Sequence, residues 1–234
     1  MVLTKKMVQP VYKYLKLAEI CNILPISLDT QSGKFSRERT LFRRIIYYVL
    51  FFLSCCKNVY LIYSFTRTVT NPAVSIAVII LVALWFSLCS GSTFWSYELF
   101  QKNESETILL FNIIQFASSE SAPYRSPTSF REVVAWIKKL SIQELLILVS
   151  PYALSLYAPL YVGLMTIRPR WHVFVTAVIP ESYVSSPWIF GLLVGVEGMT
   201  AFFMECNLIF LIFLELALQT CYLPVWDDLA DKMR

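Results

Sequence analysis

The sequence predicts an all-α polytopic transmembrane bundle, with about four membrane spans and a cytosolic amino terminus. Three observations lead there. Of the 234 residues, 57% are hydrophobic and 15% aromatic, with a mean hydropathy of +0.59. The apolar residues fall in blocks of roughly 20 or more, the length that crosses a hydrocarbon core, rather than along amphipathic elements. The basic residues are divided unevenly between the segments that join those blocks.

Residues 1–44 form a basic, polar cytosolic segment. No apolar core stands near the start, so the first apolar block is expected to serve as an uncleaved signal-anchor. The spans are read at about 45–65, 73–99, 140–167 and 188–218, and together they make a transmembrane unit over 45–222. Asn71-Pro72 marks the start of the second span, and Lys138 and Lys139 precede the third. Residues 223–234 make a cytosolic acidic tail. With the amino terminus inside, every one of the 20 basic residues is cytosolic except Arg67, Arg168 and Arg170 in the outer loops and Lys57 within the first span. The positive-inside rule fixes that orientation. The Asn103-Glu104-Ser105 sequon then faces the cytosol and is expected to stay unmodified. Trp171 and Trp188 fall at the outer boundary, where amphipathic rings settle.

The stretch from Trp188 to Tyr222 lacks proline. As one helix of about 35 residues it would measure roughly 52 Å against a core of about 30 Å. Its last turns are expected to stand in the cytosol as a stalk, ending at Pro224 and Asp227-Asp228. Three carboxylates lie on it, with Glu197 and Glu215 in line and Glu205 offset by about 80°. Glu197 falls in the outer half of the membrane. It either faces a cavity as a functional group or bonds a neighbouring helix as structural glue. Lys57 in the first span reads as a snorkelling or structural residue; pairing with a helix-four glutamate is the alternative.

The composition weighs against several classes. The modest net charge of +4 sits beside apolar blocks, which suits an anionic membrane face rather than nucleic acid. With one histidine, His172, and no Cys-x-x-Cys pair, neither a metal site nor a cofactor is expected. Cys21 and Cys221 read as buried or idle thiols, with acylation as the alternative. No acid–base pair or phosphate-cradling glycine loop emerges, so the chain is not expected to be an enzyme.

The run Val11 to Asp29 (VYKYLKLAEICNILPISLD), an amphipathic stretch followed by a proline-containing turn, leads through Gly33-Lys34-Phe35-Ser36 into the first span. After the second span, Glu106 to Ser119 (ETILLFNIIQFASS) sets an asparagine amid aliphatic residues. These segments, with the short first and longer second outer loops and the overlong fourth helix, resemble the amino-terminal part of the arthropod gustatory and odorant receptor superfamily. That family has seven helices, and its last one lines the pore and carries a Thr-Tyr motif. This chain stops after the fourth helix, so the resemblance implies a receptor truncated before the pore helix.

The resemblance implies a chemosensory subunit of a ligand-gated cation channel in the plasma membrane, tetrameric when full-length. A small organic tastant or odorant would bind in the outer half of the bundle. Its pocket residues would be Tyr157, Tyr161 and Met165 from helix three and Phe190, Val194 and Glu197 from helix four. Small apolar ligands call for an aromatic-lined cavity with few polar groups; ordinary packing or lipid contact is the competing reading of each aromatic. The alternative function is a non-catalytic four-span scaffold or a small transporter.

Overall fold

The computed structural model describes residues 5–29, 34–38, 40–119 and 142–233. Among these residues the fold is all-helical apart from one two-stranded hairpin. Four helical stretches are long and apolar enough to cross a membrane: Leu41–Thr70, Ile76–Lys102, Leu148–Ile167 and Pro187–Leu216. The protein is therefore a multi-pass membrane bundle. Inner and outer below follow the orientation that the basic residues set.

At the inner end, helix α1 (Lys5–Ile20) stops in a Schellman motif. Asn22 takes the left-handed conformation at φ 56°, its N–H reaches Glu19 O, and the Ile23 N–H reaches back to Ala18 O at 2.9 Å. Asparagine tolerates that region and frees the chain to turn. Strands β1 (Ile26–Leu28) and β2 (Phe35–Arg37) then pair antiparallel, with Ile26 opposite Arg37 and Leu28 opposite Phe35. Glu38 follows, buried, and its carboxylate accepts from the Thr40 N–H at 2.8 Å and from Arg43 at 3.0 Å. Burial works against ionisation of Glu38, but those donors outweigh it and hold its carboxyl below the usual range.

Helix α2 (Leu41–Thr70) is the first span, longer than the apolar block itself because polar residues continue it at both ends. Asn71-Pro72 does not open the second span. Asn71 instead caps the end of α2, its side chain accepts from the Ala73 N–H at 3.0 Å, and α3 (Ile76–Tyr97) starts after Ser75. This is an Asx turn, the local competitor to helix initiation. A π-helical turn (Glu98–Lys102) leads from α3 to α4 (Glu104–Ser119).

The predicted start of the third span, with Lys138 and Lys139, lies outside the described residues. The rest is two helices rather than one, α5 (Ile142–Leu154) and α6 (Tyr157–Ile167). Pro159 explains the break. In a continuous helix its ring would meet the Ser155 carbonyl, whereas in the first turn of a new helix its missing N–H costs nothing. The outer connection carries a 3₁₀ turn (Val175–Ala177) and the short α7 (Glu181–Val184).

Helix α8 runs unbroken from Pro187 to Met233, 47 residues and about 70 Å. It overturns the expectation that Pro224 and the acidic tail end the helix. A proline stops propagation only where its ring and its missing hydrogen bond cannot be absorbed by a bend. Helix α8 is also the central post: 61% of its most apolar window is buried, against 22–28% for the other spans. Large apolar side chains such as Leu41, Phe52, Ile76 and Trp188 point outward, as a hydrocarbon solvent permits.

Three apolar clusters divide the bundle, the smallest of them Leu61, Cys89 and Met204 between α2, α3 and α8. The inner one gathers α1, the hairpin, α4 and the middle of α8 around Phe111, Phe203, Phe210 and Phe213. The outer one joins α3, α6, α8 and the loop around Val82, Ala158, Tyr161, Met165 and Phe174. Between α2 and α3 runs a polar seam: Ser54 with Thr93 at 2.6 Å, Asn58 with Thr93 at 2.8 Å and Ser90 with Asn58 at 2.7 Å. Such interhelical hydrogen bonds hold helices together where lipid offers no hydrophobic drive.

Candidate functional site

Lys57 stands in the middle of α2 and Glu197 three turns into α8, and both are buried. A lone charge in hydrocarbon is costly, so each group is placed where its bonds are complete. Lys57 Nζ donates to Glu197 Oε2 at 2.8 Å, to Glu197 Oε1 at 2.9 Å and to the Val173 carbonyl at 2.7 Å. These account for the three donors of an ammonium group. Each Glu197 oxygen takes one further bond: Oε2 from the Tyr161 hydroxyl at 2.6 Å and Oε1 from the Val175 N–H at 2.9 Å. Lys57 also lies over the rings of Tyr60 and Tyr161, at 5.1 and 5.5 Å from their centroids. The snorkelling reading of Lys57 is thus corrected, because its ammonium turns inward to a carboxylate on another helix.

A small cavity lies against this pair, lined by Lys57, Leu61, Trp85, Cys89, Tyr157, Tyr161, Val173, Glu197, Thr200, Ala201 and Met204; it leaves about 10 Å³ for the centre of a water molecule. That is room for about one water. The rings beside it interlock, with Trp85 at 5.0 Å from Tyr157 and 4.9 Å from Tyr161.

The outer loop forms the roof. Tyr60 and Ser64 of α2 donate to the His172 carbonyl at 2.9 and 2.6 Å, Tyr60 also donates to the Phe174 carbonyl, and Arg170 holds the Thr176 and Ile179 carbonyls. The Thr176 hydroxyl bonds the Pro169 carbonyl. The backbone from His172 to Val175 is therefore drawn into the bundle by side chains of α2 and α8.

Of the six residues expected to line a pocket, Tyr157, Tyr161 and Glu197 do line the cavity. Met165 is fully buried in the adjoining outer cluster, and Phe190 and Val194 pack on that cluster, partly buried. The sequence reading held the pairing of Lys57 with a helix-four glutamate only as its alternative, and it missed Trp85 and the backbone of Val173 and Val175. A signal for Lys57 existed, since a lone cation in one span and lone carboxylates in another each require a neutralising partner. The loop contacts are made by backbone groups, which leave no trace in residue identity.

Further in, Glu205 is buried where α6 begins. Its Oε2 accepts from the Ala158 N–H at 2.9 Å, and its Oε1 accepts from the Tyr14 hydroxyl of α1. A carboxylate from α8 thus caps the restarted helix, whose own N-cap position, Leu156, has no side chain to do so. Of the helix-four glycines, Gly198 sits against Val162, where a Cβ would come within 2.9 Å, while Gly191 and Gly195 meet nothing. Close packing therefore rests on Gly198 alone.

Compared with protein-family models, curated proteins and solved structures, the chain matches none.

Proposed function

We propose that this chain is a chemosensory subunit of a ligand-gated cation channel in the plasma membrane, and that it binds a small organic ligand in the outer half of its bundle. The observation that carries the reading is the aromatic cavity built on Lys57 and Glu197 and roofed by the 171–178 segment. Buried ionisable groups within spans mark functional sites by default, and an apolar, aromatic wall with few polar groups suits small organic molecules. The cavity holds about one water, so a ligand is admitted by displacing the roof. That displacement is the movement a gate could read.

The test is current and binding together. Oocytes expressing this chain completed with the three further helices, pore helix included, that the resemblance implies should give cation currents evoked by some member of a tastant and odorant panel. The same ligand should change the tryptophan emission of the purified chain in lipid nanodiscs saturably. Surface delivery without current or binding across the panel rules the reading out. The broken third span favours a small transporter as the second reading, because discontinuous helices mark transport sites. It predicts ligand uptake into vesicles without a channel current.

A further inference from the structure

The roof of the site is itself bound like a ligand. Three backbone groups around Phe174 are held: the Val173 carbonyl by Lys57, the Phe174 carbonyl by Tyr60, and the Val175 N–H by Glu197. The Phe174 ring is fully buried and stands edge-on to Tyr161, 5.0 Å between centroids and 76° between planes. Trp171 flanks it at 6.2 Å. Acyl carbonyl, benzyl ring and amide N–H together are the recognisable parts of one capped aromatic amino acid.

We propose that the segment around Phe174 is a built-in occupant and that the external ligand is a neutral aromatic amide which replaces it. This rests on the reading of the cavity as a ligand site. Neutrality follows from the pair. Lys57 and Glu197 already cancel each other, so a ligand with net charge would bring an unmatched charge into hydrocarbon. An acceptor and a donor are both required, because withdrawal of the loop leaves Lys57 short of one acceptor and Glu197 short of one donor. Unmade bonds to buried charges are costly, so a hydrocarbon ring alone is a poor substitute for the loop.

The test uses the full chain in nanodiscs with its six native cysteines changed to alanine and Thr176→Cys introduced, a buried position in the roof, labelled by a membrane-impermeant maleimide. A ligand that binds only the roof-open state, supplied at ten times its Kd for that state, raises the open population about elevenfold while that state is rare. N-acetylphenylalaninamide should accelerate labelling by that order, while ethylbenzene and N-acetylglycinamide should not. Lys57→Met in the same background should abolish the response. The unaltered chain provides a second readout, a saturable change in tryptophan emission with the amide and none with ethylbenzene. Acceleration by ethylbenzene but not by the amide overturns the ligand class and leaves the cavity as a ligand site. No response to any of the three overturns the proposal, and the panel of tastants and odorants then decides the fate of the site separately.

Discussion

Helix α8 buries two carboxylates two turns apart, and the two halves of the bundle use them differently. Glu205, in the inner half, is met by a tyrosine of α1 and by the first turn of α6. Its partners belong to helices, and nothing that diffuses could take their place without dismantling the bundle. Glu197, in the outer half, is met by Lys57, Tyr161 and the backbone of a loop. One of its partners is a loop amide, a group that a solute carrying an N–H could replace. The same residue type on the same helix is thus a fastener at one level and an exchangeable contact at the other. What decides between them is whether the neighbouring backbone is tied into a helix.

The largest effect that would break this comparison is loss of the cation. Lys57→Met leaves a buried carboxylate unpaired and is expected to cost about 3 kcal/mol in denaturant unfolding in nanodiscs. The double variant Lys57→Met/Glu197→Gln should be more stable than Lys57→Met, because it removes the stranded charge. If the double variant is worse, the pair is not coupled as its geometry indicates. Next comes the inner fastener. Glu205→Leu strips the cap from α6 and the acceptor from Tyr14, and should cost about 2 kcal/mol while leaving ligand-induced emission changes intact. Tyr14→Phe removes one of those bonds and should cost about 1 kcal/mol, with faster proteolysis of α1.

A smaller effect is expected at the hairpin. Asn112 accepts from the Phe35 N–H at 2.7 Å and donates to the Phe35 carbonyl at 3.0 Å, pairing with β2 as a third strand would. Asn112→Asp keeps the acceptor and loses the donor, for a cost of about 1 kcal/mol read as a drop in Tm. The smallest effect is pH-dependent. Glu38 has its carboxyl depressed on folding, so it stabilises the fold above its unfolded pKa, near 4.5, and that contribution is lost as pH falls through the folded value. Glu38→Gln should therefore lower Tm at pH 7 and have little effect at the acid end of a titration.

The spans were legible because hydrocarbon imposes a length and a composition that few other environments demand. The split third span was written in Pro159, but a hydropathy block hides a proline that sits inside it. The continuation of α8 past Pro224 was hidden for the opposite reason, since a proline in the sequence reads first as a helix stop. At the site, Glu197 was legible as a carboxylate deep within a span, whereas Tyr157 and Tyr161 were named through the resemblance, which implies a pocket in the outer half of the bundle. Trp85 could not be placed, because nothing in the uniformly apolar first half of α3, residues 76–86, tells which face meets α6. The hairpin escaped notice because its strands are three residues each, too short for an alternation to show.

The exchangeability of the outer contact is best tested at the Val175 amide. Its hydrogen exchange, followed in the unaltered chain in nanodiscs, should be slow without ligand because Glu197 holds it. It should quicken when a small organic ligand saturates the site, while the Ala158 amide bonded to Glu205 stays slow. A ligand shown to bind that leaves both amides equally protected, or releases both together, would contradict the division between the two halves.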